Sequence, residues 1–200
     1  MLPEVFMRFL AAAALVILAL AACSGLPEDP LIRAARAGRT DEITALARGG
    51  ADPNRAGGGN EWTPLMHAIH KNQHGSVIAL LDAGANPNAP GGRGTTPLMM
   101  AAGYGQANIV RALLARGADP ARRNRIGQTA LEMAITGVAD IDAWTLGKCQ
   151  TTTVRALLDA DPELAGDDRF RAEALRLLSR AGHCADIGRM LEENRNRASR

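Results

Sequence analysis

The chain has 200 residues, 46% of them apolar but only 3% aromatic, and 22% charged. Ala and Leu carry the apolar fraction, which supports one packed domain and favours close-packed helices over a β-sandwich, an architecture that draws on aromatic and β-branched residues. The formal net charge is +2 with both signs interspersed, and apart from Lys71 and Lys148 the basic residues are all Arg, so no electrostatic footprint for nucleic acid is present.

Phe9 to Ala22 reads FLAAAALVILALAA, 14 uncharged apolar residues. Crossing a bilayer core of about 30 Å takes ~20 residues, so the stretch has the dimensions of a signal-peptide core. Leu20 to Cys23, LAAC, resembles the bacterial lipobox, after which Cys23 is lipidated and becomes the first residue of the mature chain. A plain secretory signal cleaved near Ala22 is the alternative reading. Glu4 offsets Arg8 ahead of the apolar run, and a start at Met7 gives a cleaner signal. Residues 1–22 are therefore expected as a signal peptide and 23–28 as a linker. The resemblance implies a lipid anchor in the bacterial envelope, facing the periplasm, and Ser24 after the Cys implies the outer membrane.

From Asp29 onwards the chain repeats itself. Pro30, Pro64, Pro97 and Ala130 are separated by 34, 33 and 33 residues, and Gly50, Gly84 and Gly117 by 34 and 33. Pro at a first helical turn presets φ without losing a backbone bond, and the Thr before it is a capping residue. Leu65, Ala68 and Ile69 form the apolar stripe of a first helix, which Gly38, Asn72, Gly105 and Gly182 end in a left-handed conformation. Ile43, Val77, Val110, Val154 and Ile187 open the apolar face of a second helix, and Leu80, Leu113 and Leu157 continue it.

The recurring Thr-Pro-Leu and Gly-Ala-Asp/Asn signatures resemble the ankyrin repeat, from Asp29 to about Leu191. The resemblance implies an all-α solenoid of four to five helix-turn-helix repeats with projecting hairpin-like loops. The repeats fall at about 29–59, 60–92, 93–125 and 126–164, the fourth interrupted by an insertion at 136–153. A degenerate capping repeat at 168–191 follows, with arginines facing outwards to stop the stack and a frayed tail at 192–200.

The ankyrin register also gives groove addresses, the third, sixth and seventh residues after each landmark. It implies partner-binding residues Arg33 and Arg36 in repeat one, His67, His70 and Lys71 in repeat two, Met100 and Tyr104 in repeat three, and Met133 in repeat four, together with Trp144 in the insertion. For Met100 and Met133, packing between helices is the competing reading. Trp62, at the base of the first loop, is either a packing anchor or a contact residue.

His67, His70 and His74 are spaced i, i+3, i+7, which would share one face of a helix. His74 lies beyond the helix-ending Asn72, however, so a three-histidine zinc site loses its third ligand. Partner recognition and plain surface histidines remain open.

No serine lies in a nucleophile elbow, no phosphate loop GxxxxGK[ST] is present, and Asp167 and Asp168 fall at a repeat junction. No catalysis, cofactor, metal, nucleic acid or small-molecule substrate is expected. The expected partner of this monomer is another protein, held either by a scaffold or by an inhibitor that occludes an enzyme or toxin. Cys149 and Cys184 each precede a second helix along one edge of the stack. In an oxidising compartment they are expected to form a disulfide, two unrelated thiols being the alternative. Closing that loop of roughly 35 residues would contribute about 4 kcal/mol in the chain-entropy picture.

Overall fold

In a computed structural model of the chain, the structure describes residues 28–136, 150–165, 172, 174–176 and 185–198. Cys23, Trp144, Cys149 and Cys184 lie outside the described residues, as do the signal stretch and most of the insertion.

Helices come in pairs. The first pair is α1 (Pro30–Ala37) with α2 (Thr40–Arg48), the second α3 (Pro64–His70) with α4 (His74–Asp82), and the third α5 (Pro97–Gly103) with α6 (Ala107–Ala115). The fourth is α7 (Ala130–Thr136) with α8 (Thr151–Ala160), after which come a short 3-10 turn at Pro162–Ala165 and α9 (Ala185–Ala198).

Each first helix starts on a side-chain cap. Asp29 Oδ1 accepts from the Leu31 amide at 2.8 Å, and the Thr63 and Thr96 hydroxyls accept from Met66 and Met99 at 3.4 and 3.2 Å. At α7 the cap is reciprocal, because Thr129 accepts from the Glu132 amide at 3.2 Å while Glu132 Oε2 accepts from the Thr129 amide at 2.6 Å. The first helices stop at Gly38 (φ 77°), Asn72 (φ 53°) and Gly105 (φ 70°), a left-handed turn that Gly takes without strain and Asn tolerates.

The core runs the length of the stack. Ile43, Val77, Val110, Val154 and Ile187 are all buried at 1% exposure or less, as are Leu80, Leu113 and Leu157. The first helices bury Leu31, Leu65, Ile69, Leu98 and Leu131 and, between them, Ala34, Ala35, Ala68, Ala101, Ala102 and Ala134. The small side chains let the first helices approach one another more closely than the second helices do. The ankyrin register makes the first-helix side the concave one.

Side chains stitch the seams. Gln73, Gln106 and Gln150 precede the second helices, and each donates to a last-turn carbonyl in the first helix of the preceding repeat. The acceptors are Arg36, Ile69 and Gly103, at 3.5, 2.8 and 3.1 Å. Carbonyls of a last helical turn lack the usual i+4 donor, and the glutamines supply a donor from the next repeat, joining the Asn72 amide at 2.9 Å in the case of Ile69. Asn54 donates to the Gly84 carbonyl and accepts from the Asn86 amide, and Asn88 repeats the move with Gly117 and Asp119.

The C-terminal end departs from expectation. Helix α9 continues through Ala198, where residues 192–200 read as frayed. The reason is a buried stripe of Ile187, Met190, Leu191 and Asn194, with Asn194 Nδ2 donating to the Pro162 carbonyl at 2.5 Å. Among the described residues no helix is long and apolar enough to cross a membrane.

Candidate protein-binding surface

The concave face carries most of the residues assigned to it. Arg33, Arg36, His70 and Lys71 are exposed, while His67 and Tyr104 are half-buried. Arg36 reaches Glu28 at 2.6 Å. Met100 and Met133 are corrections, because they are 4% and 6% exposed and belong to the core. Their register faces the groove, but the tight approach of α5 to α7 across Ala101, Ala102 and Ala134 closes over both side chains. They offer a partner no surface.

Beside the helices stand three loops of one design. Each is closed at its base by a backbone bond: Gly57 N–H to Trp62 carbonyl at 3.0 Å, Gly91 to Thr95 at 2.9 Å, and Asn124 to Gln128 at 3.0 Å. Neighbouring loops are then joined laterally. The Gly92 amide donates to Asn60 at 2.9 Å and the Arg125 amide to Arg93 at 3.0 Å. Gly92 is required by this approach, since a Cβ there would lie 2.8 Å from the Asn60 carbonyl oxygen. The loops thus form one ridge, with Arg93, Arg122, Arg125 and Ile126 exposed on it. The assignment from sequence did not include these four residues. The signal available was three loop segments recurring in register, two of them Gly-rich.

Between ridge and helices sits an aromatic cluster. Trp62 packs on the core and against both histidines, with ring centroids 5.5 Å from His67 and 5.2 Å from His70. It is an anchor, and it also braces the groove histidines. His70 Nδ1 and the Tyr104 hydroxyl are 2.8 Å apart, a hydrogen bond that links repeats two and three across the face. Burial lowers the pKa of His67, with Arg36 and His70 adding to the effect and the Gly57 carbonyl and Glu28 opposing it. His70 is lowered by burial first, then by Lys71 and Arg36. Both rings are therefore neutral at neutral pH.

His74 opens α4, away from this cluster. Among the described residues no group of three or more His, Cys, Asp or Glu could hold a metal ion.

Residues 10–91 match the family described as ankyrin repeats (3 copies), and residues 80–134 match ankyrin repeats (many copies). Together the matches reach from residue 10 to residue 134, well over half of the 200 residues. No curated relative matches the chain. With the helix pairs, the left-handed Gly and Asn turns and the stitched loops, these matches lead to one conclusion: the chain belongs to the ankyrin-repeat family, a solenoid that serves as a protein–protein interaction module.

Proposed function

We propose that the chain is a lipid-anchored scaffold or accessory protein of the bacterial envelope, facing the periplasm and holding another protein on its first helices and loops. It binds without catalysing. The observation that carries the binding reading is the set of lateral bonds from Gly92 to Asn60 and from Arg125 to Arg93. They order the ridge before a partner arrives, so little conformational entropy is lost on association. The anchoring reading rests on LAAC at Leu20 to Cys23. A segment of only five residues separates Cys23 from Asp29, and its reach of at most about 20 Å would keep the surface close to the membrane. A Cys149–Cys184 disulfide, which belongs to the same proposal, would tie the capping repeat to the fourth.

Two variants test the two halves. Cys23→Ala should move the protein from the membrane to the soluble periplasmic fraction and abolish labelling with a palmitate analogue; an unlabelled wild type contradicts the anchor. Replacing Arg36, Lys71 and Tyr104 together with Ala should abolish co-purification of the partner while leaving the helical circular dichroism unchanged. Retained co-purification would remove the first-helix face from the interface.

A further inference from the structure

A net charge of +2 conceals an uneven distribution. On the first-helix and loop face nearly every carboxylate is already engaged. Glu28 pairs with Arg36, and Asp29 caps α1 and lies 4.0 Å from Arg55. Asp52 and Asp119 accept from the backbone amides two residues on, each at 2.9 Å. Glu132 caps α7 and lies 3.5 Å from Arg123. Among the described residues of this face, only the carboxylate of Glu61 stays clear of such bonds.

The cations of the same face are left over. Arg33, Lys71, Arg93, Arg122 and Arg125 are exposed and make no ion pair among the described residues. On the second helices and α9, Arg39 pairs with Glu42, Arg116 with Asp82, Arg189 with Asp186 and Arg195 with Glu192, while Arg48, Arg111 and Arg155 are exposed and make no ion pair among the described residues. What sets the ridge apart is that the backbone bond from Arg125 to Arg93 brings two of its free cations side by side. Nor is the position of Arg93 cheap. Its φ of 60° lies in the left-handed region, where Gly would sit free of strain, so an Arg is held on the ridge at a backbone cost. Next to Arg125, Ile126 is 77% exposed and adds apolar surface beside the guanidinium groups.

We propose that this face binds an acidic, extended segment of the partner protein, its carboxylates on Arg33, Lys71, Arg93, Arg122 and Arg125 and an apolar side chain on Ile126. The inference rests on the binding reading above and names the partner's chemistry. Three loops at the roughly 10 Å spacing of packed helices span about 20 Å from the first to the last, the reach of about six extended residues. The guanidinium and ammonium groups that no carboxylate contacts would steer such a segment in and fix its register. A protein segment fits better than a lipid surface because a flat bilayer touches the loop tips alone, whereas Arg33 and Lys71 lie on the concave side.

The test uses the full chain in detergent and a fluorescein-labelled peptide of about ten residues alternating Glu and Leu, with a Lys–Leu peptide as control. Fluorescence anisotropy should show binding of the acidic peptide alone. Arg93→Glu, Arg122→Glu and Arg125→Glu together should weaken it at least about tenfold, while Arg48→Glu, Arg111→Glu and Arg155→Glu on the second helices should change it less than about twofold. Equal loss from both sets, or no binding of the acidic peptide, overturns the proposal. In vesicles containing phosphatidylglycerol, a benzophenone side chain at position 126 should crosslink to the peptide; crosslinking to lipid instead overturns it in favour of a membrane-docking ridge. If the Arg36, Lys71 and Tyr104 variant loses the native partner while the acidic peptide fails to bind, the partner chemistry is wrong and the binding surface stands.

Discussion

The two long faces of this solenoid share one core but differ in how their charges and loops are arranged. On the second-helix side, Arg39 and Arg116 each find a carboxylate within 2.9 Å, and the helices are held by branched side chains such as Ile43, Val77 and Val110. On the first-helix side, alanines interleaved with larger apolar residues let the helices approach and the loops are stitched by backbone, and Arg33, Lys71, Arg93, Arg122 and Arg125 make no ion pair among the described residues. The difference teaches that stability and recognition are carried by different atoms. The shared apolar core and the backbone bonds hold the stack, which leaves the concave side chains available to something else.

The comparison breaks most completely where both faces share one core. Leu113→Ala empties a fully buried site between α6 and its neighbours and should cost about 2–5 kcal/mol, read as a lower denaturation midpoint. Partner binding by the protein that remains folded should be unchanged. A smaller change should act on one face alone. Gly92→Ala pushes a Cβ against the Asn60 carbonyl and should cost about 1 kcal/mol through the lost lateral bond, with faster hydrogen exchange at the Gly92 amide. Exchange in α6 should not change.

Gln106→Ala probes the seam beneath both faces. It removes a donor to the Ile69 carbonyl, and about 0.5–1.5 kcal/mol of stability should go with it. The smallest effect is a pH dependence confined to the groove. Burial holds the His67 pKa below its ordinary value, so in the window around and below about 6.5 the unfolded chain binds more protons than the folded one. Stability should therefore be fully present above that range and fall as the pH drops through it. His67→Gln should flatten the slope of the denaturation midpoint between pH 5 and pH 8; an unchanged slope would assign it to other groups.

How much of this was legible depended on whether a residue type has one physical use or several. Pro30, Pro64 and Pro97 at first turns, and Gly38, Gly105, Gly50, Gly84 and Gly117 at left-handed turns, meet backbone demands that few other residues satisfy. Their spacing therefore revealed the fold. Met100 and Met133 were ambiguous because a groove and a core both accept an apolar side chain, and only the closeness of α5 to α7 decides between them. The ridge was invisible for another reason: the bonds from Gly92 to Asn60 and from Arg125 to Arg93 are made by backbone, which leaves no side-chain signature. Composition likewise gave a near-neutral charge, since it cannot tell the paired Arg116 from the unpaired Arg125. The extent of α9 depended on Asn194 reaching Pro162, a contact between positions far apart in the chain.

The central claim is that a partner protein seats on the first helices and the loop ridge. Photo-crosslinking in intact cells tests it directly, with benzoylphenylalanine placed in turn at Lys71 and Arg93 on that face and at Arg48 and Arg111 on the second helices. The account expects one discrete crosslinked partner band from Lys71 and Arg93 and none from Arg48 or Arg111. The same band from Arg48 and Arg111, with none from Lys71 and Arg93, would contradict it.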